Sequence, residues 1–323
     1  MVRKLGVLKT LFRGQLSLVF ALLLLITFFS IKTEFFFSYP TIVTIINQIP
    51  HILILSIGMS IVLISGGIDL SVGSVLAVSS AILGVLITNN WNLIFAVLGC
   101  LVAGIVCGAI NGFIVVKWSI PPFIVTLGML EVGRGLTYLI TNSKTQYLGS
   151  NLDFVFAPLL FGIRVPIIFA VAILIFSHIL LKYTPFGRHC FAVGANVETA
   201  RLSGINVKVV IFLVYVLSGF FASLAGLIHS ARLSSSDPNA GIGYELSAIA
   251  SAVIGGNSLS GGKGSVFGTL LGVLIIATLE VGLVQLGVPE PWKRVITGFV
   301  IVFAVVLDFY RTKFVSSSTQ NMG

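Results

Sequence analysis

Long apolar runs alternate with short polar breaks along this chain. The runs fall at 16–31, 49–65, 70–88, 93–116, 123–140, 165–181, 209–230, 247–255, 265–286 and 295–307. A helix rises about 1.5 Å per residue, so roughly 20 apolar residues cross a hydrocarbon core of about 30 Å. The pattern predicts an all-α, polytopic membrane bundle of about ten helices, forming one transmembrane domain over residues 1–323. The run 247–255 is too short to span alone; either it extends back through Tyr244 or it is a broken segment.

Composition agrees with that reading. Hydrophobic residues make up 57% of the chain and charged ones 9%, against about 25% charged in soluble domains. A net charge of +9 in a soluble protein would suggest nucleic acid as a partner. Here the basic residues sit in the breaks, where they orient helices, so no nucleic acid is expected. The basic start followed by the run 16–31 resembles a secretory signal, yet Lys32-Thr33-Glu34 follows in place of small cleavage-site residues. It reads as an uncleaved first helix. Ten spans starting inside put both termini and the connection 182–208 in the cytoplasm, with the loops 141–164 and 233–244 outside. Arg3, Lys4, Lys9, Arg13, Lys117, Lys182, Arg188, Arg201, Lys208, Lys263, Arg311 and Lys313 then face inward. Cys100 and Cys107 share one run, about 10 Å apart along a helix axis, too far to bridge. No metal site is expected, since no histidine lies near them.

Three motifs interrupt the apolar pattern. The first is Ser65-Gly66-Gly67-Ile68-Asp69-Leu70-Ser71-Val72-Gly73-Ser74. Its glycines permit a sharp or unwound backbone, which survives at membrane depth only when protein or a watery cavity covers it. Asp69 either caps the next helix through the Ser71 or Val72 amide, or lines a path together with Ser71. The second motif is Gly255-Gly256-Asn257-Ser258-Leu259-Ser260-Gly261-Gly262-Lys263-Gly264-Ser265. It fails as a phosphate loop, because Asn257 stands at the first glycine position and Gly264 follows the lysine. Gly-Gly, Leu-Ser and Gly-Ser recur in the same order in both motifs, and paired broken segments often line a transport pathway. The third lies in the connection 182–208: Asn196 can cap a short amphipathic helix with Glu198 in its first turn and Gly204 at its end. Such a helix either docks into a partner's groove or rests on lipid headgroups.

Other polar residues are sparse. Gly104, Gly108 and Gly112, like Gly268 and Gly272, repeat at the spacing of close helix packing. Glu131 and Arg134 can pair on one helical face, and Asn111, Glu245 and Asn257 are further pathway candidates, with Glu280 ambiguous. No nucleophile, base and carboxylate come together in the sequence, so no enzyme activity is expected.

These motifs, with Ala231-Arg232-Leu233-Ser234-Ser235 and Gly243-Tyr244-Glu245-Leu246, resemble the permease subunits of bacterial ATP-binding cassette monosaccharide importers, most closely the ribose permease family. The resemblance runs from about residue 44 to 307. It implies a multi-pass inner-membrane permease that pairs with a second copy, identical or paralogous. It also implies a separate ATPase subunit, which binds ATP and Mg, and a periplasmic sugar-binding protein, with no cofactor in this chain. It implies further that the segment 194–204 couples to the ATPase, making Arg188, Gly194, Asn196, Glu198, Ala200, Arg201 and Gly204 the coupling candidates. Asn257 stands where relatives often carry Thr, and Cys190 where Tyr is common. The competing reading is a proton-coupled carrier with a relay drawn from Asp69, Glu131 and Glu245.

Overall fold

The structure, a computed structural model, describes residues 2–300, 302, 303 and 306, with the backbone alone over 2–15. The end of the tenth run, Arg311 and Lys313, and the side chains of Arg3, Lys4, Lys9 and Arg13 lie outside the described residues. In chain order the helices are α1 Val2–Lys32, α2 Tyr39–Ile64, α3 Val72–Thr88, α4 Leu93–Trp118, α5 Pro122–Thr141, α6 Pro166–Tyr183, α7 Pro185–Ala195, α8 Val197–Leu202, α9 Val207–Leu233, α10 Tyr244–Ile254 and α11 Val266–Gln285. Residues 290–300 are also helical. Six of these, α2, α4, α5, α6, α9 and α11, are long and apolar enough to cross a membrane, whereas Leu16–Lys32, α3 and α10 are shorter apolar helices. The fold is that of a polytopic helical membrane protein.

The faces of α4 show how such a sequence packs in lipid. Its outward side carries Ile94, Phe95, Leu98, Val102, Val106, Ile110 and Phe113, all exposed on the surface of the bundle. Its buried side carries Ala96, Cys100, Gly104, Cys107, Gly108, Asn111 and Gly112. This is the reverse of a soluble helix, because lipid removes the drive to bury large apolar groups and leaves close contact between small ones. The contact is with α9: a side chain at Gly104 would strike the Gly219 carbonyl oxygen, and one at Gly108 the Tyr215 carbonyl oxygen. Gly268 and Gly272 bring α11 against the Gly255 and Ser251 carbonyls in the same way. Around α9 stand α2, α3 and α4, and α11 packs on α2 and α10.

Three departures from the sequence pattern have physical causes. Helix α2 begins at Tyr39 rather than at the first residue of its apolar run, Ile49, because the helix extends back through the polar Asn47 and Gln48. A second helix, α7, precedes the expected short one; Thr184 accepts a hydrogen bond from the Gly187 amide at 3.3 Å, and Pro185 sits in its first turn. The loops at 142–165 and 234–243 are joined by a two-residue antiparallel ladder, Gln146 opposite Ser236 and Tyr147 opposite Ser235. Buried hydroxyls anchor that ladder to the bundle, with Ser80 Oγ 2.5 Å from Ser230 Oγ and donating to Ser236 Oγ at 2.9 Å. Cys100, Cys107 and Cys190 are free and buried.

Candidate functional site

Helix α2 stops at Ile64 and α3 starts at Val72, and the turn between them carries Asp69 into the bundle, where it is 2% exposed. Its carboxylate accepts from the Ser71 amide at 3.0 Å, the Ser71 hydroxyl at 2.6 Å and the Ser218 hydroxyl of α9 at 2.7 Å. The Ser71 oxygen in turn accepts from Asn111 Nδ2 of α4 at 2.9 Å. Thr126 of α5 closes the other side, taking the Leu70 amide at 3.1 Å. Capping through the Ser71 amide is therefore present, in a buried centre where α3, α4, α5 and α9 meet rather than at an exposed turn. A carboxylate at this position also faces the favourable end of the α3 dipole. The Tyr215 hydroxyl and Asn111 Oδ1 are buried there without a protein partner.

Asn257 does the equivalent work in the second glycine motif. It is fully buried, donating to Ala252 O at 2.6 Å, Thr269 Oγ1 at 2.8 Å and Ser60 Oγ at 3.3 Å, and accepting from the Ser265 amide at 3.0 Å. Every polar atom of this amide is thus used by the protein, and the side chain ties α10, α11 and α2 together.

The two glycine motifs, distant in sequence, meet at the end of α7. The Gly262 amide donates to Ile64 O at 2.9 Å. Gly194 lies against that bond: a side chain there would collide with Ile64 O and reach Gly262 N at 2.6 Å. From the other side, a side chain at Gly261 would lie 2.6 Å from Gly194 O and 2.9 Å from Gly66 Cα. Three backbones approach so closely that only glycine fits. The contact of Gly66 and Gly194 with the second motif is carried by backbone shape, which sequence spacing does not reveal.

Directly after this junction comes α8. Asn196 accepts from the Thr199 amide at 2.8 Å, Gly204 turns the chain with φ +80, and Glu198 pairs with Arg201 at 2.6 Å, both side chains more than 60% exposed. Ala200 is buried on the opposite face. Arg188, in α7, is exposed.

The expected Glu131 and Arg134 pair does not form. Arg134 instead donates to Ala240 O at 2.6 Å, holding the 234–243 loop, while Glu131 is exposed on the outer side of α5. Helical spacing permits the pair, but the carbonyl of a descending loop competes for the guanidinium. Glu245 crowds the same place, since a side chain at Gly73 would strike its Oε2 and the Gly241 carbonyl. The sequence reading overlooked Ser218 and Thr126, whose only signal is a hydroxyl within an apolar helix.

A family model described as "Branched-chain amino acid transport system / permease component" matches residues 41–305. The chain belongs to this permease family. Among curated proteins, the permease is similar to the ribose import permease protein RbsC of Escherichia coli (strain K12), with 40% identity over 301 residues covering 91% of this chain and 93% of that protein. RbsC of Bacillus subtilis (strain 168) is 42% identical over 89% of the permease and 90% of its own length. The D-allose transport system permease protein AlsC of E. coli (strain K12) is 37% identical, with 92% of each chain covered. The resemblance to ribose permeases drawn from the motifs thus extends across most of the permease. No solved structure matches it.

Proposed function

We propose that this chain is the membrane-spanning subunit of an ATP-binding cassette importer that carries ribose or a closely related monosaccharide across the bacterial inner membrane. The observation that carries this reading is the 40% identity to a ribose import permease over 91% of the chain. The family description names branched-chain amino acids, but the ribose and allose permeases match the chain almost end to end. The proton-coupled carrier is the weaker reading, because no hydrogen-bonded path joins Asp69, Glu131 and Glu245 among the described residues.

Adding α1, α3, α10 and the helix at 290–300 to the six long helices gives ten segments, which supports ten spans with both termini cytoplasmic. A pair of identical or paralogous copies surrounds the pathway, and a periplasmic binding protein delivers the sugar. ATP and Mg belong to the partner ATPase, and this chain carries out no covalent step. Helix α8 docks into the ATPase. Closure of the ATPases pushes α8, and the Gly194 junction passes that displacement to both glycine motifs at once. The motion rocks the helices between outward and inward access.

The test is uptake by the assembled transporter after Glu198 and Arg201 are both replaced by alanine. An exposed ion pair contributes about 0–1 kcal/mol to stability, so the variant should fold and enter the membrane normally. Ribose uptake and ATPase association should fall sharply. Normal uptake in this variant, or uptake driven by a proton gradient without the ATPase, refutes the assignment.

A further inference from the structure

A cavity enters the bundle from the end opposite the glycine junction. Its outer part, about 700 Å³, is lined at the mouth by Pro40, Thr41 and Thr44 of the first turns of α2, and an inner chamber of about 170 Å³ follows. Gln48, Tyr244, Ser247 and Glu280 line both parts. Helical rise places His51, in the chamber wall, about 18 Å from the start of α2 and about 20 Å from Ile64, near the midplane. One wall is α10, a half-length helix that ends in the second glycine motif. Midplane sites in transporters are built from interrupted helices of this kind.

Like the Asp69 centre with its unpartnered Tyr215 hydroxyl and Asn111 Oδ1, this chamber holds polar groups that the protein leaves unpaired. Gln48, His51, Arg232, Tyr244, Ser247 and Glu280 line it, and among the described residues none of these side chains takes part in a hydrogen bond or salt bridge. His51 is only 3% exposed, and its Nδ1 is buried without a partner. Buried polar groups are paired in folded proteins almost without exception, because leaving one unpaired costs about 1–3 kcal/mol. His51 is the buried member of the six; with the half-buried Gln48, Arg232, Tyr244 and Ser247 and the exposed Glu280 around the same void, it forms a hydrogen-bonding surface open to a partner from outside the chain.

The geometry points to this chamber as the solute-binding site of the permease, with a monosaccharide as its ligand. The inference rests on the sugar-transport reading and gives it a location. A sugar presents a ring of hydroxyls, each both donor and acceptor, and C–H faces between them. Amide, imidazole, hydroxyl, guanidinium and carboxylate groups match the hydroxyls. Tyr244, packed beside His51 and His229 with ring centroids 5.5 and 5.7 Å away, supplies an aromatic body with a polar tip. Ile49, Ile52, Val273 and Ile276 complete the walls, in the mixture of apolar lining and few polar groups typical of small-molecule sites. At the mouth, Glu290 pairs with Lys293 at 2.5 Å.

The test uses the full chain in lipid nanodiscs, with D-ribose and L-leucine as probes in saturation-transfer NMR. D-ribose should bind, L-leucine should not, and Tyr244→Ala should weaken ribose binding about tenfold or more, the loss expected when a buried hydrogen-bonding anchor is removed. Ser247→Cys provides a nearly isosteric second variant, since the native cysteines are all buried. Its labelling by a thiol reagent should be slowed by D-ribose and unaffected by L-leucine. Undiminished ribose binding in Tyr244→Ala, unprotected Cys labelling, or absent binding in a wild-type chain that still supports ribose uptake overturns the site and leaves the transport reading intact. Leucine binding in place of ribose overturns both.

Discussion

Replacing Gly194 with alanine adds one methyl group where three backbone segments converge. The new Cβ would collide with Ile64 O and come within 2.6 Å of Gly262 N, the two partners of a 2.9 Å hydrogen bond. Neither neighbour is a flexible side chain that can swing away, so the junction must open. Overpacking of this kind costs about 1–3 kcal/mol, and the broken hydrogen bond about 1 kcal/mol more. Alanine returns about 1 kcal/mol through its better helix propensity in α7. The net is about 1–3 kcal/mol, or roughly 5- to 150-fold in favour of the separated junction. Gly135→Ala is the matched comparison, also helical but with nothing within 4 Å of its added Cβ. Thermal unfolding of the purified chains and ATP-dependent uptake by the assembled transporter should both separate the two variants. Gly194→Ala should melt lower and hydrolyse ATP with little import, while Gly135→Ala behaves as wild type. A Gly194→Ala chain that melts with the wild type and imports at full rate would remove the junction from the coupling mechanism.

Two further outcomes follow from the polar centres. Asp69→Ala leaves the buried Ser71 amide and the Ser218 hydroxyl without their acceptor, at about 1–3 kcal/mol for each group left unpaired. Asp69→Asn keeps one oxygen for Ser71 and offers an amide to Ser218, so its melting point should stay much closer to wild type; equal destabilisation by both variants would contradict the network. Burial pushes the Asp237 carboxyl upward, but the Asn239 amide and the Thr145 and Asn239 side chains outweigh it and hold the pKa below the ordinary carboxylate value. Its contribution is therefore complete above the unfolded value of about 3.9 and is lost as pH falls through the lower folded value. Hydrogen exchange of the 142–165 and 234–243 loops should rise in that acid range, and Asp237→Ala should reproduce the rise at neutral pH. Protection unchanged by acid or by the substitution would refute this.

Much of the architecture could be read directly from the chain, because in lipid each helix must satisfy its own backbone, and long apolar runs leave no other solution. Helices α4, α5, α6, α9 and α11 lie close to their predicted runs. The cap at Asn196 and the stop at Gly204 were equally legible, since both depend on neighbours within one turn. Where the chain text misled, polar residues were the cause. Asn47 and Gln48 looked like a break before a helix, yet α2 runs through them. Gln48 and His51 then face a cavity, an environment that no hydropathy window can register. The Glu131 and Arg134 pairing failed for a related reason: spacing along a helix says who is near on that helix, not which carbonyl arrives from elsewhere.

Tertiary structure alone decided the rest. Gly66, Gly194, Gly261 and Gly262 are ordinary turn residues in the sequence, and their close approach exists only once α2, α7 and the second glycine motif are packed. The same packing satisfies Asp69 and Asn257 through serines and threonines from other helices. It leaves Gln48, His51 and Tyr244, around the inner cavity, without a side-chain hydrogen-bond partner among the described residues. Local patterns set which segments become helices because that energy is settled within a few residues. Which polar groups are spent on the fold and which remain available depends on contacts between residues far apart in the chain, such as the 244 positions that separate Thr41 from Gln285.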